Sequence, residues 1–292
     1  MGQIQRKSPF WSLAGPMLGY LAIQFAVQLG IQLVITAPYI IRAYPDMVES
    51  LAGAAPSMEK FMDIYLSALE PAFVLIAAYQ TEIAAASALV TLAMTLPLFL
   101  KDRKLEREYQ VVLPAKAPPA QYWTVILFGA VGCVAVTCLM AMVQLAFYDA
   151  QYQQSIQTAY SSPVALQVLC SGIVIPLAEE LLFRGILYRR FHERQSFWYS
   201  AVCSAMLFAF LHSNTTQMVY AFLLGLLLAY LYEKFGSFLA PLLLHIVLNT
   251  GSVVFTALGV FRWLGADPMR MAGAVIAGAF VCSVLFVRIR KM

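Results

Sequence analysis

Apolar residues run along this chain in stretches of about twenty or more, separated by short polar and basic segments. The stretches lie at approximately 13–41, 71–100, 121–148, 164–188, 197–213, 216–232, 238–258 and 269–287. A hydrocarbon core about 30 Å thick is crossed by about 20 apolar residues in a helix, so each stretch predicts one crossing. The expected fold is all-α, a polytopic membrane helix bundle of about eight transmembrane helices. The fifth and sixth are short and are separated only by Ser213, Asn214, Thr215 and Thr216, which reads as a tight turn between two helices.

The polar segments set an orientation. Cytoplasmic loops carry the excess of lysine and arginine. With the N-terminus inside, fourteen of the nineteen basic residues fall on the inner side, only Arg42, Lys60, Arg262 and Arg270 on the outer side, and Arg184 within the membrane. Both termini are therefore expected in the cytoplasm. The net charge of +4 follows from this topology and not from a nucleic-acid surface. Arg6 and Lys7 precede an apolar stretch too long for a cleavable signal core, so a first transmembrane helix is expected there.

Composition agrees, with 61% hydrophobic and 12% charged residues in 292, which excludes an ordinary soluble domain. Five cysteines, Cys133, Cys138, Cys170, Cys203 and Cys282, all fall in apolar runs without metal-ligand spacing and read as small core residues. The polar stretch Lys101 to Pro119 reads as a linker. It divides a two-helix N-terminal accessory region, 1–120, from a six-helix remainder, 121–292. The accessory region includes an outer loop, 42–70, in which Met58, Phe61, Met62, Tyr65 and Leu66 predict a short amphipathic helix.

Charges inside the membrane carry the chemistry. Glu179, Glu180 and Arg184 sit within the run Val164 to Tyr188, where each charge costs about 2.5–3.5 kcal/mol at a helix centre and so needs a partner and a task. Glu180 and Arg184 are one turn apart with the acid first, the better order for an ion pair. Glu179 is about 100° away around the helix and need not share that partner. Pro176, three residues earlier, frees a backbone carbonyl and can kink the helix toward a cavity. His212 and His245 lie in apolar helices, and Asn249 follows His245 by one turn on the same face. At about 1.5 Å per residue from the cytoplasmic helix ends, Glu179 lies about 15 Å deep, His212 about 21 Å, His245 about 12 Å and Asn249 about 18 Å. They form one layer.

A desolvated glutamate can be a general base, one imidazole can hold the same water, and a second imidazole with an amide N–H can face an oxyanion. Glu179, His212, His245 and Asn249 supply those four groups. Glu179, His212 and His245 would equally make a zinc set with an open water position. The metal-free reading is preferred, with zinc as the alternative. Glu82, in the second helix, is a substrate contact, a proton path or a packing residue, and His192 lies in a basic loop in contact with water.

Glu179-Glu180-x-x-x-Arg184, Phe208-x-x-x-His212 and His245-x-x-x-Asn249, in this order, resemble the CPBP family of intramembrane proteases. That family includes CAAX prenyl endopeptidases of the Rce1 type and bacterial Abi-type proteins linked to bacteriocin processing or self-immunity. The resemblance covers roughly 166–251. It implies that Glu179 and His212 activate water, that His245 and Asn249 form the oxyanion site, and that Glu180, Arg184 and Phe208 support them. It also implies a membrane-associated peptide or protein substrate, prenylated or leader-bearing, and a multi-pass protein of a bacterial inner membrane. One position departs from the prenyl-protease branch: Thr216 stands where that branch has asparagine, with Asn214 as the nearest substitute. A non-catalytic immunity or scaffold protein of the same fold is the competing class. A proton-coupled transporter is disfavoured by the lack of paired half-repeats.

Overall fold

The computed structural model describes residues 4, 6, 8–52, 56–111, 114–212 and 214–292. Lys7 of the basic N-terminal segment, 53–55 of the expected outer loop and Ser213 of the expected turn lie outside them. The described residues form no strand, a single 3-10 turn at Pro119–Gln121 and eleven longer helices. These are α1 (Pro9–Ala52), α2 (Met58–Ala78), α3 (Gln80–Glu108), α4 (Trp123–Ala146), α5 (Ala150–Ala159), α6 (Val164–His192), α7 (Phe197–Ala209), α8 (Thr215–Phe235), α9 (Leu239–Ala257), α10 (Val260–Gly265) and α11 (Pro268–Arg290).

Among the described residues eight helices are long and apolar enough to cross a membrane, but they are not the expected eight. The 13-residue α7 is too short, because its helix stops at Ala209 instead of 213. The region expected as an outer loop is instead largely helical. α1 continues through Pro38 and Pro45 to Ala52, and α2 starts at Met58 behind a Ser57 cap and continues through Pro71. Helices α2 and α3 follow one another with a single break at Tyr79, whose amide still donates to Leu75 O. At about 1.5 Å per residue the 44-residue α1 is about 66 Å long, roughly twice a hydrocarbon core. It packs along both α2 and α3, so the three make one long antiparallel hairpin. The amphipathic pattern at 58–66 is real, but it opens a longer helix. Mutual packing of α1 and α2 overrides Pro38, Pro45 and Pro71.

Charged side chains gather at one end of the bundle. Arg6 bonds Glu193 and Asp102, Arg189 bonds Glu106, Arg190 bonds Asp102, and Lys234 reaches the Arg290 carbonyl. The start of α1 and the ends of α3, α6, α8 and α11 therefore share that end, which follows when α2 and α3 run in line as one arm of the hairpin and the short α7 leads back between α6 and α8. The core that positions the site joins four helices through Tyr20 (α1), Leu182, Phe183 and Leu187 (α6), Phe208 and Ala209 (α7) and Ala221 (α8). All five cysteines are free, three of them buried.

Close packing depends on Gly225. A Cβ there would stand 2.8 Å from the Ala205 Cβ and 3.0 Å from its Cα, on backbone that cannot rotate away. The Gly225 carbonyl also accepts from Arg184 Nη2 at 3.2 Å. Gly225→Ala should cost about 1–3 kcal/mol through overpacking, read as a lower unfolding temperature of the purified protein.

Candidate active site

Helix α6 is irregular where the chemistry lies. Its turns widen to a π-helical pattern at Val168–Val174 and again at Leu181–Tyr188, leaving Ile175–Glu180 as a short α-helical piece between them. Such wide turns concentrate at functional sites. The first has a cause in the sequence. The Ile175 amide bonds back to Cys170 O, five residues earlier. The next amide in that register would serve Ser171 O, but residue 176 is proline and has no N–H. Asn249 Nδ2 fills the vacancy at 3.0 Å, and Thr250 Oγ1 lies 3.5 Å from the neighbouring Gly172 O. Gly172 permits this approach, since a Cβ there would meet Thr250 Oγ1 at 2.6 Å.

The short piece presents the two glutamates differently. Glu180 and Arg184 are fully buried and paired, Nη1 to Oε1 at 2.8 Å. The same Oε1 lies 2.9 Å from His245 Nδ1. An ionised carboxylate only accepts, so the geometry assigns the Nδ1 proton to His245 and leaves Nε2 as the free face of the ring. That nitrogen lies 3.7 Å from Glu179 Oε2. Glu179 keeps 15% side-chain exposure, while Glu180 and Arg184 keep none. A buried relay thus runs from Arg184 through Glu180 to His245 and ends against the only carboxylate of the pair that water can reach.

His212 lies beyond the end of α7, in a turn, so its expected depth on a continuous helix is corrected. The ring is nonetheless fixed. Its Nδ1 donates to Phe208 O at 3.2 Å, since a carbonyl only accepts, and this leaves Nε2 as a free acceptor. Phe208 is buried against both imidazoles, 5.2 Å from the His212 ring centroid and 5.8 Å from that of His245, and under the Arg184 guanidinium at 4.6 Å. Non-helical backbone at this depth is tolerated where it lines a site and not lipid.

The structure brings Glu179, Glu180, Arg184, Phe208 and His245 into one contact group. His212 joins it through Phe208, and Asn249 sits one turn beyond His245, with one amide hydrogen committed to Ser171. Glu180 has a second task that spacing did not reveal: it orients His245. Asn214 does not replace the missing asparagine. Its Oδ1 caps α8 by accepting from the Gln217 amide at 2.8 Å, and its Nδ2 bonds Gln217 Oε1 at 2.7 Å. Thr216 donates to Asp149 Oδ2 at 2.7 Å, and that bond together with the Tyr152 amide holds the Asp149 carboxyl below the usual carboxylate range. Glu82, in the first turn of α3, has no hydrogen-bond partner on either oxygen among the described residues. His192 is part-buried, stacked on Tyr188, with Nε2 3.6 Å from Glu233. Among the described residues no three His, Cys, Asp or Glu side chains are grouped as ligands of one metal ion. Tyr20 and Tyr220 lie within electrostatic reach of Glu179, and the Tyr220 ring is 6.3 Å from that of His212. Neither carried a motif that could have marked it.

Residues 161–251, which hold all the motif positions, match the Type II CAAX prenyl endopeptidase Rce1-like family. Over this segment the chain is similar to that family. The resemblance read from the three motifs is borne out there. Among curated proteins the chain is 26% identical over 118 residues to "Putative membrane peptidase YdiL" of Bacillus subtilis, covering 40% of this chain and 48% of that one. It is 35% identical over 97 residues to "Uncharacterized 24.3 kDa protein" of Escherichia coli, covering 32% and 45%. It is 27% identical over 88 residues to "UPF0177 protein YxdF" of Lactococcus lactis, covering 30% and 48%. The chain spans about half the length of the curated relatives it matches. No solved structure matches it. The Rce1-like segment begins just before α6 and ends within α9, so α1 to α5 lie outside it.

Proposed function

We propose that this chain is an intramembrane endopeptidase of a bacterial inner membrane, with Glu179 as the general base. The observation that carries the reading is the buried relay from Arg184 through Glu180 to His245, which ends 3.7 Å from Glu179. Glu179 takes a proton from water as the water oxygen attacks a peptide carbonyl carbon, and the free Nε2 of His212 holds the same water. The carbonyl oxygen becomes an oxyanion facing the second amide hydrogen of Asn249 and the His245 ring, which donates from Nε2 as the imidazolium while Nδ1–H stays on Glu180. Glu179 then passes its proton to the amide nitrogen as the C–N bond breaks. Phe208 fixes both imidazoles and keeps Arg184 dry, which strengthens each of these contacts.

The substrate is a membrane-associated peptide or protein. The hydroxyl of Thr216, bound to Asp149, favours a substrate other than a prenyl cysteine. The excess of basic residues at the charged end supports a cytoplasmic position for that end and for both termini.

Purified protein in nanodiscs should cleave members of a set of prenylated and unprenylated membrane-anchored peptides. In H2 18O each new carboxyl terminus should take up one heavy oxygen. No cleavage of any member by the wild-type chain would favour the non-catalytic scaffold instead. Metal analysis of the same preparation should find substoichiometric zinc, and chelation should leave cleavage intact. One zinc per chain, lost in His212→Ala, would replace the glutamate mechanism with a zinc-bound water.

A further inference from the structure

A cavity of about 720 Å³ opens between α1 and α3 at the charged end of the bundle, and none of the proposed catalytic residues lines it. Its wall is banded in polarity. Arg6, Lys101 and Arg190 form a basic band across it, with Gly15, Met94 and Leu98 deeper along the two helices and Leu105 and Tyr109 nearer the end of α3. Helices α1 and α3 are antiparallel, so the order is the same on both. The step from Lys101 to Met94 is about 10 Å along the helix axis. This is the order of a phospholipid, with charge at the interface and hydrocarbon beneath it.

The charge of the wall has one sign. Asp102 and Glu193, which pair with Arg6 and Arg190, are not part of it. Lys101 is exposed and has no ion-pair partner among the described residues. At the rim Trp11 is 62% exposed, the placement of an aromatic residue anchored among headgroups. A Cβ on Gly15 would meet no atom within 4 Å, so that side of α1 opens into unfilled space.

We infer that this cavity binds one anionic phospholipid, with its phosphate at Lys101 and the neighbouring guanidinium groups and its upper acyl chain over Gly15 and between Met94 and Leu98. A zwitterionic lipid offers the same hydrocarbon and phosphate but brings its own cation against Lys101. The preference is therefore electrostatic, and one basic residue near an anionic surface is worth about fivefold in affinity.

Native mass spectrometry of the full chain released from detergent tests this, with dioleoyl phosphatidylglycerol, dioleoyl phosphatidylcholine and inorganic phosphate added separately and in competition. The wild type should retain phosphatidylglycerol over phosphatidylcholine. Lys101→Gln, on an exposed side chain, should lower phosphatidylglycerol retention about fivefold and leave phosphatidylcholine as it was. Gly15→Leu should obstruct the acyl part of the cavity and lower retention of both lipids. Equal retention of the two lipids by the wild type, or retention unchanged in both variants, would overturn the inference. So would competition by inorganic phosphate at matched concentration, which marks a free-anion site. A Gly15→Leu chain that changes oligomeric state while its lipid adducts persist would assign the cavity to a second copy, and that also overturns it.

Discussion

Glu179→Gln should abolish peptide cleavage while the protein stays folded. Glutamine keeps the size of the side chain and a hydrogen-bonding oxygen but cannot accept a proton from water. General-base contributions of about 10²–10⁴ in rate are typical, which corresponds to about 2.7–5.4 kcal/mol of barrier. The loss should fall on kcat and not on KM, because the proton moves only in the transition state. Stability should hardly change. Glu179 is partly exposed, and His245 Nε2 is 3.7 Å away, beyond a normal hydrogen bond.

The neighbouring glutamate provides the contrast. Glu180 is fully buried, with Oε1 shared between Arg184 and His245, and it reaches no water. A variant there should lose stability as well as rate. Kinetics and unfolding measured on the same Glu179→Gln preparation therefore separate a base from a buried anchor. A Glu179→Gln chain that cleaves at the wild-type rate would remove the general-base assignment and leave the fold argument standing.

The local pairs were legible in the sequence because helical spacing alone specifies them. Glu180 with Arg184 is one, and Phe208 with His212 is another, where the imidazole meets the ring and also bonds the backbone carbonyl. The contact between Glu180 and His245 was not legible, since it depends on the rotational phase of α9 against α6, which spacing within either helix leaves undetermined. Pro176 was visible as a source of a free carbonyl. That Asn249 would take that carbonyl required knowing which two helices touch. The long hairpin was missed for a different reason: Pro38, Pro45 and Pro71 read locally as breaks, and only the mutual packing of α1 and α2 keeps those turns helical. The number of helices long and apolar enough to cross stayed at eight because α2 became long enough as α7 became too short.

The second large effect belongs to Arg184. Its guanidinium is fully buried, bonds Glu180 and the Gly225 carbonyl, and covers the Phe208 ring at 4.6 Å. Arg184→Ala leaves a buried carboxylate whose remaining polar partner is His245, and breaking a buried pair from one side costs about 3–5 kcal/mol. Replacing both partners differs in kind. Glu180→Leu with Arg184→Met removes both desolvated charges and refills most of the volume, and such exchanges are often neutral or stabilising by about 1–4 kcal/mol. The double variant should therefore unfold at or near the wild-type temperature and still fail to cleave, because His245 Nδ1 has lost the acceptor that orients the ring. Thermal unfolding followed by intrinsic fluorescence, together with the peptide assay, reads both quantities. If Arg184→Ala unfolds with the wild type, the pair is not a buried anchor. If the double variant cleaves normally, the relay through Glu180 has no part in the reaction.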